Sequence, residues 1–364
     1  MYPLLLTCAA LFSQCGISAI PLEPVDRHAT PETRALLLFL DTARQAYILF
    51  GHQETTLYGV GWTATGTDDS DVKRATGKFP AVFGWELGNL SPDHLDALRE
   101  HVLAAHGRGG INTFSWHCPN PVSGGNFYDT TPAVAALLPG GDHHAWFREK
   151  LDILANFFHA LKDPEGRPIP VVFRPWHEHN GNWFWWGTPF FCAPEQFADL
   201  WRFTVVYLCQ EKSVHNLLFA WSPNESTGKT SGYFTGYPGD AHVDILGLDA
   251  YAPSLKTVLP EIRNVVQEAE TRRKIPALTE TGYPDGLSAC HRDVPFTGSI
   301  LEPLRGDPVA RRIAWLLVWR NAHEHHYWVP RPDDRFADDF RAFCADPLIV
   351  MGDRLEITRR NPMP

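Results

Sequence analysis

Eight short apolar runs, each bounded by helical patterns, constrain this chain more than any other feature. We predict strands at residues 46–53, 81–88, 111–117, 171–178, 216–223, 243–251, 276–283 and 314–321. Between them, apolar residues recur every three or four positions, as in Phe147, Leu151, Leu154 and Phe158, which is typical of amphipathic helices. Near-continuous apolar strands alternating with such helices predict a parallel sheet covered by helices, and eight strands can close a barrel.

Polar side chains stand at the carboxyl end of every predicted strand. In chain order they are His52 and Gln53, Glu86, His117, His177 and Glu178, Ser222 and Asn224, Asp249 and Tyr251, Glu280, and Arg320 and Asn321. In a (β/α)8 barrel these ends meet at one mouth, where active sites form. A doubly wound sheet is the alternative, but the first turn reads GHQETTLYG and lacks the G-x-G-x-x-G phosphate loop. We therefore predict an α/β fold, a (β/α)8 TIM barrel of a single domain.

The N-terminal residues predict export. Residues 1–19 read MYPLLLTCAALFSQCGISA, an apolar stretch followed by small residues, as in a signal peptide. We expect a secreted, periplasmic or cell-surface protein whose catalytic domain spans residues 20–364. No Lys or Arg precedes the stretch, which leaves an ordinary buried segment open, and Cys15 leaves a lipid anchor open. The stretch is too short to span a bilayer, so we expect no transmembrane segment.

Composition narrows the class of partner. The formal net charge of −10 would repel nucleic acid and anionic membranes, whereas a neutral polysaccharide is compatible with it. The run Trp183–Trp186 offers flat aromatic faces on which sugar rings stack. Five cysteines lie beyond the leader without a C-x-x-C pair, so nothing supports a zinc or redox site. Export permits one or two disulfides and leaves at least one thiol free. We expect a monomer.

Two glutamates are candidates for the paired carboxyls of a retaining glycoside hydrolase. Glu178 ends the fourth predicted strand and Glu280 lies in the seventh, so both reach the same mouth. Retaining enzymes hold two carboxyls roughly 5–5.5 Å apart, one as acid/base and one as nucleophile. Apolar neighbours predict a raised pKa for Glu178. Donors that would keep Glu280 ionised are Arg174, Arg320 and Tyr251.

Other interpretations of these polar residues remain. We interpret Glu86 as a structural partner and Asp249 as a support of the catalytic pair. In a strand, His177 and His179 would point the same way, which makes a mononuclear metal site conceivable. However, H-E-x-x-H is absent and no third strong ligand can be named, so we expect no metal and no cofactor. A serine nucleophile has no support, since no G-x-S-x-G occurs.

Several segments together resemble glycoside hydrolase family 26, a family of retaining β-mannanases on this barrel. The hallmark is FRPWHEHNGNWFWWG at residues 173–187. Supporting segments are GHQ at 51–53, GWELG at 84–88, SWHCPNPVSGGNFYD at 115–129, DILGLDAY at 244–251, LTETGY at 278–283 and LVWRNA at 317–322.

The resemblance implies a role for each matching residue. Glu178 would be the acid/base and Glu280 the nucleophile. The substrate-binding residues would be His117 and His177 at the sugar carrying the scissile bond, Tyr251 on the nucleophile, Trp319 beneath that sugar, Arg320 at a neighbouring glycone sugar and Trp183 on the leaving-group side.

The implied activity is endo-cleavage of β-1,4-mannosidic bonds in mannan, galactomannan or glucomannan. The same resemblance leaves open an exo-acting mannobiose-releasing enzyme, a β-1,3-xylanase and a mixed-linkage β-glucanase. Other classes are an inactive carbohydrate-binding barrel, which retention of both glutamates argues against, and a metal-dependent hydrolase, which a chelator would inactivate.

Overall fold

The computed structural model describes residues 22–226 and 231–355, which fold around a closed barrel of eight parallel strands. These are β1 Ile48–Gln53, β2 Val82–Glu86, β3 Ile111–Trp116, β4 Val171–Pro175, β5 Leu217–Trp221, β6 Ile245–Tyr251, β7 Ile275–Gly282 and β8 Trp315–Val318. Each strand pairs with the next, and β8 closes the barrel on β1, where Leu49 is opposite Trp315. The predicted single-domain TIM barrel is confirmed, and the doubly wound alternative is wrong.

Helices cover the outer face of the barrel. They are α1 Pro31–Ala43, α2 Asp71–Thr76, α3 Pro92–Gly107, α4 Val134–Leu137, α5 His144–Ala160, α6 Pro194–Val206, α7 Leu259–Arg272, α8 Glu302–Gly306 and α9 Ala337–Ala345. In α5 the apolar stripe predicted from spacing is buried, from Phe147 to Phe158. The β5–β6 connection differs from the expected alternation, because its described part contains only the short 3-10 turn Asp240–His242.

Two apolar layers hold the barrel together. In the larger layer, helix residues such as Leu151 pack against strand residues such as Phe173. The smaller layer joins barrel residues such as Leu218 to Leu37 and Leu40 of α1. The backbone N–H of Thr30, just before α1, donates to the carbonyl of His215, just before β5. Helix α1 therefore lies at the amino-terminal end of the barrel, away from the mouth.

Six of the eight predicted strands extend too far at their carboxyl ends, by three residues in β4 and in β8. The prediction ran to residue 178, but β4 ends at Pro175. Trp176 and Glu178 have φ angles of 53° and 51°, in the left-handed region that side chains with a Cβ rarely adopt. In this turn the side chains do not alternate between two faces as they do in a strand. The side-chain directions of residues 176–179 therefore cannot be derived from strand periodicity.

A small hairpin after β1 is tied to the end of β8. Its strands, Tyr58–Gly59 and Trp62–Thr63, pair antiparallel. The buried Asp71 carboxylate accepts hydrogen bonds from the Trp62 indole at 2.7 Å and from the Asn321 amide at 2.8 Å. The hairpin is therefore a fixed part of the barrel rim.

A further short strand, β9 at Ile349–Val350, pairs with β1.

Two predictions from the sequence concern export. The predicted leader at residues 1–19 lies outside the described residues. Within residues 22–226 and 231–355, no helix has the length and apolarity needed to cross a membrane.

The five cysteines Cys118, Cys192, Cys209, Cys290 and Cys344 are all buried free thiols. The disulfides that export permits do not form among them.

A methyl group added at Gly247 should destabilise the barrel. A Cβ there would lie 2.5 Å from Thr279 Oγ1 and 2.6 Å from its Cγ2, and overpacking of this kind costs about 1–3 kcal/mol. We expect Gly247→Ala to lower the free energy of unfolding in urea by that amount. The control is Gly107→Ala in α3, where a Cβ meets nothing within 4 Å. Equal stability of the two variants would contradict the packing described for β6 and β7.

Candidate active site

Glu178 and Glu280 meet at the carboxyl end of the barrel. Glu280 lies in β7 and is 4% exposed, whereas Glu178 stands three residues beyond β4 and is partly accessible. One oxygen each of Glu178, Glu280 and Asp249 all lie within 4.8 Å of one another. Carboxyls this close match the spacing of retaining glycosidases and leave too little room for the intervening water of inverting ones.

The loop after β4 holds Glu178 through its backbone and its carboxyl group. The backbone N–H donates to the Ser222 carbonyl at 2.7 Å, which fastens the loop to the end of β5. One carboxyl oxygen accepts from the Trp183 indole at 2.7 Å, and the other from the Asn224 amide at 2.8 Å. Both oxygens therefore have fixed directions.

The surroundings of Glu178 favour its protonated form. Burial, and next the negative charge of Glu280, raise the pKa of Glu178 to about 7, although the Asn224 and Trp183 hydrogen bonds oppose this. A carboxylic acid that keeps its proton near neutral pH can act as a general acid. The proton-donor role inferred from the sequence therefore has a physical basis in this structure.

Glu280 accepts hydrogen bonds from two strong donors. Arg174 in β4 donates to one carboxyl oxygen, and the Tyr251 hydroxyl donates to the other at 2.7 Å. Arg174 also donates to Asp249 at 2.8 Å, and this buried carboxylate accepts from Ser222 as well. These donors stabilise negative charge on Glu280. Arg320, the third donor named from the sequence, is not a donor to Glu280.

Arg320 instead bonds to the hairpin after β1. Its Nη1 donates to the Tyr58 hydroxyl at 3.0 Å, and that hydroxyl donates to Glu54. Burial, and next the charge of Glu86, raise the pKa of Glu54 to about 7, against the opposing charge of Arg320. The sequence interpretation passed over Glu54 and Tyr58, although both stand in ETTLYG, the segment that directly follows β1. Their position at a strand end was the available signal.

His117 and His177 lie side by side beneath the mouth. Their Nε2 atoms are 3.1 Å apart, and His117 Nδ1 is 2.6 Å from Glu86. Burial lowers the pKa of His117, but the Glu86 carboxylate outweighs burial and raises it. Burial, and next Arg174, hold the pKa of His177 well below its usual value. The surroundings therefore favour the charged form more in His117 than in His177, and Glu86 is the structural partner that the sequence indicated.

The aromatic residues near Glu178 are either buried in the core or partly exposed at the wall of the site. Of the run Trp183–Trp186, the last three rings are buried and only Trp183 is partly exposed. Trp319 is also partly exposed, and its ring centroid lies 6.0 Å from that of His117. Sugar rings can therefore stack on Trp183 or Trp319, one beside Glu178 and the other beyond the histidines. The remaining rings of the run support the loop from below.

The long loop after β3 brings a second aromatic pair to the mouth. Phe127 packs on His117 with ring centroids 4.6 Å apart, and Tyr128 is 59% exposed. Asn120 holds the loop in shape, since its amide donates to the carbonyls of Asp129 and Thr131, both at 2.8 Å. The loop therefore holds Phe127 against His117 and leaves Tyr128 accessible at the mouth.

The structure contradicts the geometric basis of the metal interpretation. His177 faces His117, whereas the His179 ring packs between Phe197 and Trp221, with centroids 4.6 and 3.9 Å away. The two histidines diverge because Glu178 between them has a left-handed backbone. The carboxyl groups of Glu178, Glu280 and Asp249 lie close together, and the cation that binds two of them, Asp249 and Glu280, is the Arg174 guanidinium.

Asn224 is the residue of the site that the sequence interpretation left without a role. It was noted only as a polar residue after the fifth strand. In the structure its amide binds Glu178, and its backbone N–H donates to the Asn180 side chain at 2.7 Å. Only the approach of two loops in space reveals this contact, since 46 positions separate Asn224 from Glu178.

Comparisons with known proteins agree with this geometry. The sequence model of glycosyl hydrolase family 26 matches residues 25–297. A mannan endo-1,4-beta-mannosidase of Bifidobacterium adolescentis is 36% identical over 87% of this chain, which covers 35% of that protein. The chain thus spans about a third of the length of this relative. A mannan endo-1,4-beta-mannosidase of Bacillus subtilis is 26% identical, covering 65% of this chain and 68% of the relative.

Solved structures match over most of the chain. An endo-beta-1,4-mannanase of Cellulomonas fimi superposes with a TM-score of 0.86 at 40% identity, covering 92% of this chain and 78% of that one. A GH26 beta-mannanase of Bacteroides ovatus superposes with a TM-score of 0.81 at 38% identity, covering 89% and 96%. On the extent of the family match and these likenesses, the chain belongs to glycosyl hydrolase family 26.

Proposed function

We propose that this chain is a retaining endo-β-1,4-mannanase with Glu178 as acid/base and Glu280 as nucleophile. The observation that carries the proposal is the approach of the two carboxyls, whose nearest oxygens lie within 4.8 Å. Family membership and relatives described as mannan endo-1,4-beta-mannosidases support the substrate. The different surroundings of the two carboxyls support the division of roles.

In the first step Glu280 attacks the anomeric carbon of a mannose unit. A bond forms between its carboxylate oxygen and that carbon, while the bond to the leaving oxygen breaks. The leaving oxygen takes the proton of Glu178, so no free alkoxide is released. Arg174 and Tyr251 hold the attacking carboxylate in one orientation before substrate arrives. Such preorganised positioning lowers the activation free energy of the attack.

In the second step water displaces Glu280 from the sugar. Glu178, now a carboxylate, accepts a proton from the water as its oxygen bonds to the anomeric carbon. The bond between sugar and Glu280 breaks, and both carboxyls return to their starting states. Two inversions retain the configuration of the product. Asn224 and Trp183 stabilise the intervening carboxylate of Glu178 through their hydrogen bonds.

Product sizing tests the substrate and the mode of attack. The protein is incubated with galactomannan, glucomannan, linear β-1,3-xylan and lichenan. We expect mannan-type polymers to yield mixed oligosaccharides, and NMR of the earliest products to show the β-anomer. Mannobiose alone would favour the exo-acting alternative, and cleavage of β-1,3-xylan or lichenan alone would favour the related activities. A chelator should leave the rate unchanged, because the proposed steps use only side chains of the chain.

Removing either glutamate should separate the two roles. Glu280→Ala should abolish turnover of all substrates, because no covalent intermediate can form. Glu178→Ala should lower kcat/KM on mannan by about 10²–10⁴-fold but spare aryl β-mannosides with good leaving groups, which need no proton. Steady-state kinetics on polymer and aryl substrate measure both effects.

The matched control is Glu149→Ala, which removes a glutamate 65% exposed on α5. Its kinetics should equal those of the unchanged protein. The assignment fails if both active-site variants retain activity on mannan.

The alkaline limb of the pH profile should report Glu178. The pKa of this group is raised to about 7, and the protonated form is the active acid. Activity should therefore be retained below that pH and lost above it. Asn224→Ala removes a hydrogen bond that stabilises the charged form, so it should move the limb of kcat/KM to higher pH. A limb that does not move, or moves down, would refute the identification.

Export and oligomeric state are part of the proposal. We propose that residues 1–19 direct export and are removed, on the strength of their apolar stretch and small residues. The mass of the protein recovered from the culture medium tests the cleavage. A monomer is proposed as well, and sedimentation tests it.

A further inference from the structure

Two residues that follow β1 hold Arg320 in a defined position. The Tyr58 hydroxyl accepts a hydrogen bond from Arg320 Nη1 at 3.0 Å and donates to Glu54. Glu54 is only 8% exposed, and its backbone N–H donates to the Gly84 carbonyl at 2.7 Å. The φ angle of Glu54 is 51°, in the left-handed region. The hydrogen-bonded series Arg320–Tyr58–Glu54 thus connects the end of β8 to the segment after β1.

The hairpin that carries Tyr58 is itself anchored. The Asp71 carboxylate binds the backbone N–H of Val60 at 3.0 Å and the Trp62 indole at 2.7 Å. It also accepts from Asn321, the neighbour of Arg320, at 2.8 Å. Consecutive residues at the end of β8 are therefore both bonded to elements that follow β1. Arg320 is therefore bound to a hairpin whose own position is fixed by Asp71 and Asn321.

The position of the Arg320–Tyr58–Glu54 series places it on one side of the scissile bond. Glu178, Trp183 and Asn224 follow β4 and β5, and the proton from Glu178 goes to the leaving group. Arg320 and Tyr58 follow β8 and β1, which are half a barrel away from β4 and β5. The sugars that remain attached to the enzyme after the first step therefore extend towards Arg320.

We propose that Tyr58, held by Glu54, is a positioning residue that orients Arg320 towards a hydroxyl of the second sugar on the retained side. The inference rests on the proposed function and adds the residues that shape its glycone specificity. An Arg side chain loses considerable rotamer entropy when it is ordered. Ordering it before substrate binds removes that cost from the binding step.

Aryl donors of two lengths test the inference. An aryl β-mannobioside occupies the second retained position, whereas a dinitrophenyl β-mannoside does not. For Tyr58→Phe we expect kcat/KM on the mannobioside to fall about tenfold, the value of roughly one hydrogen bond to a charged group. Most of the change should be in KM, and kcat/KM on the mannoside should stay constant.

Another tyrosine, far from the mouth, has the same pattern of hydrogen bonds and provides the control variant. The Tyr207 hydroxyl donates to Asp152 at 2.7 Å and accepts from Arg148 at 3.4 Å, so it lies between an Arg and a carboxylate as Tyr58 does. Tyr207→Phe should leave both donors unaffected. In the double variant Tyr58→Phe/Arg320→Ala, the mannobioside rate should equal that of Arg320→Ala, because Tyr58 acts through Arg320.

The outcomes separate the two proposals. If the unchanged protein cleaves neither donor nor mannan, the proposed function fails. If the unchanged protein cleaves both donors, the inference is overturned by an equal loss on both in Tyr58→Phe, by no loss on either, or by additive losses in the double variant. Glu54→Gln keeps an acceptor for the Tyr58 hydroxyl, so a loss smaller than that of Tyr58→Phe would support the inference.

Discussion

The rest of the site depends on a buried guanidinium shared by two carboxylates. Arg174 on β4 donates to Asp249 on β6 and to Glu280 on β7, and all three are almost fully buried. Breaking such a pair leaves an uncompensated buried charge, which typically costs 3–5 kcal/mol. The arrangement therefore fixes both the spacing of three strand ends and the orientation of Glu280. Structure and proposed chemistry rest on the same contact.

The shared cation also explains why two nearby carboxyls differ. Glu280 has Arg174 and Tyr251 as donors, whereas Glu178 has the neutral donors Asn224 and Trp183. Burial and the charge of Glu280 then raise the pKa of Glu178. Two neighbouring carboxyls repel each other when both are charged, and Arg174 and Tyr251 stabilise charge on the one that they bind. The proposed division into nucleophile and acid follows from which of the two carboxyls binds Arg174.

The sequence predicted the barrel because each strand is apolar and ends in polar residues. The same pattern brought Glu178 and Glu280 to one mouth. It failed where the chain leaves regular structure: Glu178 lies on a left-handed turn, and Arg320 reaches Tyr58 instead of Glu280. Periodicity describes strands and helices, but it contains no information about loops that meet only in space. Asn224 was missed for this reason.

The two halves of the mouth have separate tasks in the proposed mechanism. The half formed by β4 to β7 contains Glu178, Glu280 and the Arg174 network, whereas the opposite half holds Arg320 through the hairpin after β1. His117 lies between them, since it contacts both His177 and Trp319. Loops on a rigid barrel can vary without disturbing distant strand ends. Changes in the β8–β1 half can therefore alter which sugars are held while the carboxyl pair stays the same.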